Sequence, residues 1–461
     1  MSEPRPTTVE SRSIDFIPYA ERYGTPRSLF TLWFSSNLTI LGVSVGTLGV
    51  AAGLSLPWTV AAIVLGNALG TLFMAAHSAQ GPHLGIPQMI QSRAQFGVLG
   101  AAFPLCAVLM TYLLYCTAND LLIPGSIVSI LPVSGSAAMV IFSIATLGVA
   151  FGGYRLIHLL GAAMSWVSAG IFAVAFVLLL VRPAALSPAA LVQPGGFSGV
   201  VFAMVVTQTA AWGLSYGPYV ADYSRYLPPR VPAATTFWYT AAGCFGGATL
   251  IMVFGAFLAA MVPHLPDDLG GTVAGLFGRW SNLVRVAIIL GVIEGNVMNL
   301  YSAYMAIVTI FSGFRERPHV SSGTKLAVML ALSVAALFMA RAAEGHFQQF
   351  LADMLNVMIY LITPWSAINL ADYYLVRKGN YRIEDMYRFD GIYGRFRWKT
   401  IAIYFAGVAV QAPFVHTSVY TGSIAAHLGV DVAWIVGLMV PAVLYVTGTV
   451  SERETHPLRT I

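Results

Sequence analysis

The sequence predicts an all-α integral membrane protein with about twelve transmembrane helices. Of the 461 residues, 57% are hydrophobic and only 9% are charged, whereas an ordinary soluble domain is about 25% charged. The apolar residues come in repeated runs of about 20, which is the length that crosses the hydrocarbon core as a helix. Strands of a membrane barrel would instead read as short alternating segments, so the sequence favours helices.

Twelve apolar runs are predicted as membrane spans and are numbered in chain order. They lie near Leu29–Leu54, Trp58–Ala76, Leu99–Ile123, Ala137–Gly153, Leu156–Val181, Val200–Tyr226, Phe237–Val262, Leu283–Phe311, Leu326–Ala340, Phe350–Val376, Thr400–Tyr420 and Val432–Val450. The spans divide the chain into an N-terminal tail (1–26), a first five-helix unit (27–182), a second five-helix unit (197–377), a basic loop (378–399), two further helices (400–450) and a C-terminal tail (451–461).

The basic residues test this arrangement, because cytoplasmic loops carry an excess of Lys and Arg. With the N-terminus inside, the cytoplasmic set is Arg5, Arg12, Arg22, Arg27, Arg93, Arg155, Arg225, Arg230, Arg315, Arg317, Lys325, the basic residues from Arg377 to Lys399, Arg453 and Arg459. Only Arg182, Arg279, Arg285 and Arg341 fall outside. Both termini are therefore predicted to be cytoplasmic, and the formal net charge of +5 indicates topology, with no sign of nucleic-acid binding.

Two predicted spans contain residues that weaken a helix. Span 1 carries Asn37, Gly42, Gly46 and Gly49, and span 6 carries Gly213, Gly217 and Pro218. Small residues also allow helices to pack closely, which is the structural alternative. Interruptions at matching places in two halves are typical of transporters that bind their substrate at unwound backbone. Five spans separate the two interruptions, so the second unit begins in the opposite orientation, as an inverted repeat requires.

Four segments have a distinctive sequence: GNALGTLFMAAHSAQGPHLGIPQMIQSRAQFG from Gly66, PRSLFTLWFSSN from Pro26, ADYSRYLP from Ala221 and TPWSAINLADYYLVRKGNY from Thr363. They resemble segments of the nucleobase-cation symporter-1 family of cytosine, purine, allantoin and hydantoin permeases. The resemblance implies a LeuT-type fold of two inverted five-helix repeats plus two C-terminal helices. It also implies that substrate binds midway across the membrane between spans 3, 6 and 8, and that a cation binds between spans 1 and 8.

Carried onto this sequence, the resemblance implies five substrate-binding residues. Trp212 takes the place of a stacking tryptophan, and Tyr115 and Asn119 take the place of a Trp-x-x-x-Asn motif, with Tyr in place of Trp. In span 8, Asn299 begins the NLYSAY motif and Asn296 lies three residues before it, so the two amides project on nearly the same side of the helix. A flat base with a polar rim needs an aromatic face and amide groups, and we expect it to stack between Trp212 and Tyr115. Core packing or hydrogen bonding between helices is the structural alternative for each residue.

Glu294 is an ionisable residue in the middle of span 8, where a charge is costly, and such residues are candidates for function. We expect it to carry the coupling proton. The rival is sodium coupling, with Glu294 as a ligand alongside Ser302 or backbone oxygens near Asn37 and Leu41. A buried ion pair with an Arg, or a neutral acid bonded to backbone, is the structural alternative. No metal site is certain, and Cys106, Cys116 and Cys244 are expected to be buried apolar side chains.

Together with the resemblance, the sequence predicts a secondary active symporter of a bacterial inner membrane. It is expected to import a nucleobase or related flat heterocycle of the purine or cytosine type by alternating access, with H⁺ as the favoured cation and Na⁺ as the other. It contains no P-loop, no H-E-x-x-H and no G-x-S-x-G motif, so it is predicted not to be an enzyme and to need no cofactor. Its expected partners are a small heterocycle and the lipid bilayer; oligomeric state is not indicated. The alternatives are a carrier of amino acids or other small solutes with the same fold, and a hydantoin, allantoin or vitamin permease of the same family.

Overall fold

The structure is a computed structural model that describes residues 15–152, 154–181, 196–262, 268–312 and 321–455. Its helices are α1 Pro26–Ser36, α2 Ile40–Ala51, α3 Leu56–Ser78, α4 Gly81–Leu84, α5 Gln88–Gln91, α6 Arg93–Phe96, α7 Ala102–Leu122, α8 Pro124–Val128, α9 Gly135–Gly152, α10 Tyr154–Leu180, α11 Gly199–Leu214, α12 Val220–Ser224, α13 Ala233–Met261, α14 Leu269–Gly275, α15 Ser281–Ser312, α16 Ser322–Ala342, α17 Phe347–Leu370, α18 Trp398–Ala409, α19 Ser423–Leu428 and α20 Ala433–Thr455. The boundary predicted between the two five-helix units, most of the N-terminal tail, and Arg5, Arg12, Arg182, Arg315, Arg317 and Arg459 lie outside the described residues.

Within the described residues, nine helices are long and apolar enough to cross a membrane, and ten if the bent pair α1 and α2 forms one span. These ten correspond to predicted spans 1 to 10. The last two predicted spans are shorter: α18 has 12 residues, and the apolar part of α20 runs from Ala433 to Thr449. The multi-pass helical fold is therefore confirmed, whereas the count of twelve spans is not.

The prediction of a continuous helix from Thr400 to Tyr420 is wrong. The helix α18 ends at Ala409, a short 3-10 turn follows at Ala412–Phe414, and His416 and Thr421 pair across a tight turn. Proline at 413 lacks the backbone N–H that would continue the helix. Hydropathy was misleading here because the apolar residues after Ala409 belong to a loop that folds onto α17.

The interruption predicted in span 1 is confirmed, but the glycines do not cause it. The helices α1 and α2 meet at 62°, and the break lies at residues 37–39. Thr39 is extended and caps α2 by accepting a hydrogen bond from the Gly42 amide at 3.1 Å. Gly42, Gly46 and Gly49 lie inside α2, where a Cβ on Gly46 would come within 2.0 Å of the Met252 carbonyl oxygen of α13. These glycines therefore serve close helix packing.

This contact predicts the effect of a Gly46→Ala substitution. The added methyl group would meet backbone, so α2 and α13 must separate, and we expect a loss of about 1–3 kcal/mol of stability. Thermal unfolding in detergent measures it. Gly170→Ala in α10 is the matched control, since a Cβ there meets nothing within 4 Å. Equal unfolding temperatures for the two variants would contradict the close approach.

The long helices form two groups. Spans 1, 2, 6 and 7 (α1 with α2, α3, α11 and α13) pack on one another and form what we call the bundle. Spans 3, 4, 8 and 9 (α7, α9, α15 and α16) form the second group, the scaffold. Each predicted five-helix unit thus contributes its first two helices to the bundle and its next two to the scaffold. The fifth helices lie at the sides, with α10 against α15 and α17 against α7 and α11.

Candidate functional site

The two interrupted spans of the bundle meet through the side chain of Asn37. The indole nitrogen of Trp212 donates a hydrogen bond to Asn37 Oδ1 at 2.7 Å, and the Tyr216 hydroxyl donates to the same oxygen at 3.4 Å. Asn37 Nδ2 in turn donates to the carbonyl oxygen of Trp33 at 2.6 Å. All four side chains are buried. The break in span 1 is therefore joined at one polar point to span 6, where α11 ends at Leu214 and a 3-10 segment follows at Gly217–Tyr219.

Tyr115 of the scaffold contacts Trp212 from span 3. The two ring centroids lie 5.8 Å apart, and the ring planes are nearly perpendicular at 83°. Ser215 Oγ donates to the Trp212 carbonyl oxygen at 2.7 Å, so the Tyr115 hydroxyl is the donor in its 2.9 Å bond with Ser215. The parallel slot expected between Trp212 and Tyr115 is absent from this arrangement. A flat ligand can lie parallel to only one of the two rings in these positions.

Two of the predicted amides meet across the scaffold. Asn119 Nδ2 of α7 donates to Asn296 Oδ1 of α15 at 3.3 Å, and both residues are buried. Within the described residues, this is the one hydrogen bond that either side chain makes. Asn119 Oδ1 can therefore still accept a hydrogen bond, and Asn296 Nδ2 can still donate one. Asn299 is half-buried on the same helix. The structure thus brings Asn119 and Asn296 together, with Asn299 less than one turn away.

The neighbouring acid Asp120 points elsewhere, as expected from its position one residue after Asn119. Its carboxylate accepts a hydrogen bond from Ser143 of α9 at 3.2 Å. Consecutive helical residues differ in direction by about 100°, so Asn119 and Asp120 face different helices. Asp120 therefore belongs to the packing of the scaffold.

Glu294 lies where α15 packs against span 5. A Cβ built on Gly161 of α10 would lie 3.1 Å from Glu294 Oε1, so the glycine leaves room for the carboxylate. Within the described residues, Glu294 forms no ion pair with Lys, Arg or His. A carboxylate in a membrane span is costly unless it is protonated or binds a cation. This environment disfavours the structural alternative in which Glu294 forms a buried ion pair with an Arg.

The other predicted cation residues lie apart from Glu294. Ser302 lies beside the Tyr112 hydroxyl of α7, whereas Glu294 faces Gly161 of α10. Leu41 is the second residue of α2, where its carbonyl oxygen accepts within the helix. The Asn37 carbonyl oxygen accepts from the Thr39 amide at 2.9 Å. The structure therefore does not assemble these groups into one coordination shell.

The described residues contain no group of three His, Cys, Asp or Glu side chains placed to hold a metal ion. The predicted burial of the cysteines is confirmed for Cys116 and Cys244, but wrong for Cys106, which is exposed. Cys106 lies on α7, whose outer face is apolar, and an exposed thiol on a membrane-spanning helix costs little because it behaves as a small apolar group.

Aromatic rings fill the space between the Trp212 cluster and the end of the molecule where α1 begins. Trp33 lies 5.4 Å from the Tyr216 ring and 5.4 Å from the Tyr223 ring, between centroids. Tyr219 lies 5.7 Å from Tyr112 of the scaffold. The rings belong to α1, the end of span 6 and span 3, so they join bundle to scaffold. We call these five residues the aromatic plug.

The opposite end is covered by the short helix α14. Asp268 caps this helix by accepting from the Gly271 amide at 2.8 Å, and it also accepts from Ser126 of α8 at 2.6 Å. Arg285 of α15 lies 3.9 Å from the same carboxylate. The cover and the aromatic plug together enclose the central side chains from both ends, which is the arrangement of an occluded site.

The comparison with known sequences decides the family. Residues 16–437 match a sequence family described as permeases for cytosine and purines, uracil, thiamine and allantoin. The chain belongs to this permease family. A Bacillus subtilis protein that carries the name of a purine-cytosine permease, YxlA, is 39% identical over 95% of both chains. The purine-cytosine permease fcyB of Emericella nidulans is 25% identical, over 95% of this chain and 87% of that one.

A solved structure agrees with the arrangement of helices. Mhp1, described as a nucleobase-cation-symport-1 family transporter in a closed conformation with bromovinylhydantoin bound, superposes with a TM-score of 0.77. The match covers 98% of both chains at 18% identity, so it shows the fold. The predicted family and LeuT-type fold are therefore confirmed, and the chain is a transporter, not an enzyme.

Sequence reasoning missed a buried charge network in this permease. Asp372 is fully buried in a π-helical turn after α17, and it pairs with Arg377 at 3.1 Å. Its carboxylate also accepts from Gln95 at 2.7 Å, Tyr381 at 2.7 Å and Tyr445 at 2.8 Å. An acid beside an Arg at the end of an apolar span was the available signal. The network ties span 10 to the α6 loop and to α20.

Proposed function

We propose that this member of the permease family is a secondary active symporter that imports a purine, cytosine or related flat heterocycle together with a cation. The observation that carries the proposal is the enclosed meeting point of the two interrupted spans, where Trp212, Tyr115 and the Asn119–Asn296 pair lie within one buried region. The family description and the names of YxlA and fcyB support the substrate class.

In this proposal, each group recognises a different part of the base. The Trp212 indole supplies a face for stacking, since its N–H is already held by Asn37. Tyr115 meets the edge of the base or moves to admit it, because the two rings are perpendicular in the occluded form. Asn119, Asn296 and Asn299 supply the donors and acceptors for its rim. The substrate must therefore displace contacts that the empty site makes with itself.

The coupling cation is proposed to be a proton carried by Glu294. The support is a carboxylate between α15 and α10 that has no cationic partner within the described residues, next to a glycine that leaves it room. Sodium is the alternative ion, with Asn37, Leu41 and Ser302 as further candidate ligands. That set requires a rearrangement that brings Ser302 and the start of α2 towards Glu294.

Alternating access is proposed to occur by movement of the bundle against the scaffold. Trp212 and Asn37 belong to the bundle, whereas Tyr115, Asn119 and Asn296 belong to the scaffold. A ligand that contacts both groups stabilises the closed form, and coupling arises because each ligand favours the state that binds the other. The aromatic plug opens on one side and the α14 cover on the other. The predicted units 27–182 and 197–377 supply corresponding helices to this movement.

The topology is proposed as that of a bacterial inner-membrane protein with both termini in the cytoplasm. The excess of Lys and Arg in loops on the side of the N-terminus supports it. The aromatic plug then faces the cytoplasm, and the α14 cover faces outward.

Two alternatives remain within transport. A hydantoin, allantoin or vitamin permease is the alternative within the family, because the family description and the Mhp1 ligand include such heterocycles. An amino-acid or other small-solute carrier of the same fold is the second alternative. The neutral set of Trp212, Tyr115, Asn119, Asn296 and Asn299 favours a heterocycle, since an amino acid would bring two charges to the site.

Uptake into proteoliposomes tests the proposal. With an inward pH gradient, the purified protein is expected to accumulate labelled adenine or cytosine, because the bound proton carries the free energy of the gradient. A pH gradient of about one unit supports about a tenfold concentration ratio for a one-to-one symporter. Unlabelled adenine, cytosine, allantoin and leucine are added as competitors. Competition by leucine alone would overturn the heterocycle proposal.

The same vesicles separate the two cations. At equal pH on both sides, a sodium gradient is expected to drive no accumulation. Accumulation that needs sodium and ignores the pH gradient would exclude proton coupling and leave the substrate class intact. Vesicles without protein, loaded with the same gradients, are the control for passive diffusion of the uncharged base.

A further inference from the structure

Gln208 of α11 is a buried amide that nothing in the site uses. Its side chain is only 1% exposed, and both its Oε1 and its Nε2 lack a hydrogen-bond partner within the described residues. Other buried amides among the described residues, such as Gln80 and Gln95, donate a hydrogen bond through their nitrogen, and only their oxygen lacks a partner. A buried amide with neither group paired is destabilising, so its presence calls for a functional reason.

Helix geometry directs Gln208 towards the central site. Residues turn by about 100° per position along a helix, so Gln208, Trp212 and Ser215 lie within about 60° on one face of α11. Ser215 and Trp212 both contact Tyr115 on that face. Gln208 therefore lies one turn before Trp212, on the face of α11 whose Trp212 and Ser215 side chains contact Tyr115 of span 3.

The residues on either side of Gln208 face other helices. Thr207 accepts a hydrogen bond from the Trp434 indole of α20 at 3.2 Å. Thr209 lies against α3, where a Cβ on Gly66 would come within 2.0 Å of its hydroxyl oxygen. These contacts fix the rotation of α11 from both flanks. The direction of Gln208 thus follows from these two neighbours as well as from its spacing to Trp212.

Within the described residues, the other polar side chains of the closed site each make at least one hydrogen bond, whereas the Gln208 side chain makes none. Trp212 bonds to Asn37, Tyr115 to Ser215, and Asn119 to Asn296. An amide offers one acceptor and two donors side by side. It is complementary to a ring edge that carries a donor next to an acceptor, as in adenine, hypoxanthine and cytosine.

We infer that Gln208 is a specificity-determining residue that hydrogen-bonds the donor–acceptor edge of a heterocycle lying against Trp212. The inference rests on the proposed function, which it extends by naming the edge that is recognised. The amide is unpaired while the site is empty and becomes paired when the base enters. Gln208 thereby favours the loaded form over the empty one, and bases with an exocyclic amine or carbonyl over rings that lack it.

Binding of matched ligand pairs to the purified protein tests this role. Adenine is compared with purine, and cytosine with 2-pyrimidinone, because each pair differs only in the exocyclic amine. The wild type is expected to prefer adenine and cytosine, and Gln208→Met, which keeps the length of the side chain, is expected to reduce that preference about tenfold. Its unfolding temperature should stay equal or rise, since an unpaired buried amide is removed.

Thr207→Val is the matched control, because it removes a polar group at the adjacent position that faces α20. It is expected to leave the adenine-to-purine ratio unchanged. If Gln208→Met keeps the wild-type adenine-to-purine ratio of affinities, the inference is overturned. This holds when all four affinities are unchanged, and also when all four fall by the same factor together with the unfolding temperature. A wild type that binds none of the four ligands would instead overturn the proposed function, and this inference with it.

Discussion

Glu294→Gln is expected to abolish proton-driven accumulation of the base while leaving exchange of base across the membrane intact. A glutamine is almost the same size as glutamate, so the contact with Gly161 is kept. It cannot take up and release a proton, and the translocation step then no longer responds to the pH gradient. Uptake should fall from the gradient-driven level, about tenfold per pH unit, to simple equilibration.

Two transport assays on the same proteoliposomes separate coupling from translocation. Accumulation is measured with an inward pH gradient, and exchange is measured with unlabelled base inside and no gradient. The wild type should perform both, and Glu294→Gln only the exchange. If a variant fails in both assays, its unfolding temperature is measured, because a protein that has lost its fold also stops exchanging base.

Asp120→Asn is the matched control for Glu294, because it neutralises another acid of the scaffold. Asp120 is held by Ser143 and faces α9, away from the interface between α15 and α10. We expect its accumulation ratio to equal that of the wild type. If Glu294→Gln still concentrates base under a pH gradient, Glu294 does not carry the proton. If Asp120→Asn alone loses accumulation, the coupling residue is in span 3.

Trp212→Ala is expected to weaken binding of the base by about ten- to a hundredfold. Stacking of a base on an aromatic side chain contributes about 1–3 kcal/mol when measured by substitution with alanine. The Asn37 oxygen also loses its main donor, at 2.7 Å, in the buried contact that joins the two interrupted spans. Equilibrium binding to purified protein is the direct measurement, followed by uptake in vesicles.

Trp212→Phe separates the two roles of the indole. It keeps an aromatic face and loses the N–H, so we expect binding between that of the wild type and that of Trp212→Ala. Because removal of a large buried ring can cost about 3–5 kcal/mol of stability, each variant is also tested for its unfolding temperature. Trp434→Ala, on the opposite side of α11, is the control for loss of a tryptophan that contacts this helix. Undiminished binding by a folded Trp212→Ala protein would exclude stacking at this residue.

The membrane spans that the sequence predicts correctly are those whose local composition is apolar along their whole length. Runs such as Ala233–Met261 are apolar throughout, because one face meets lipid and the other meets apolar helices, and hydropathy detects both. The prediction of a helix from Thr400 to Tyr420 was wrong because it, too, relied on hydropathy. Its second half is apolar enough to raise the average, yet Pro413 and the pairing of His416 with Thr421 belong to a loop. Hydropathy measures solvent preference and does not detect where a helix ends.

The site residues divide in a similar way. The resemblance and the four-residue spacing predicted a common site for four residues, and the structure brings them into one region: Trp212, Tyr115, Asn119 and Asn296. Their hydrogen bonds to one another were not predictable, since Asn37 and Trp212 are 175 positions apart in the chain. The perpendicular setting of the Trp212 and Tyr115 rings arises where side chains of two helices distant in the chain meet, which no local pattern encodes. Gln208 had a local signal, because it lies four residues before Trp212.

The sequence by itself determined that this is a multi-pass helical membrane protein and that its first span is interrupted. Lipid imposes those features residue by residue, so they are legible in composition and spacing. The tertiary structure decided that Asn37 joins the two breaks, that Glu294 lies against Gly161 of span 5, and that the glycines of α2 serve packing. Those contacts link distant parts of the chain, and their geometry exists only once the bundle and scaffold have packed.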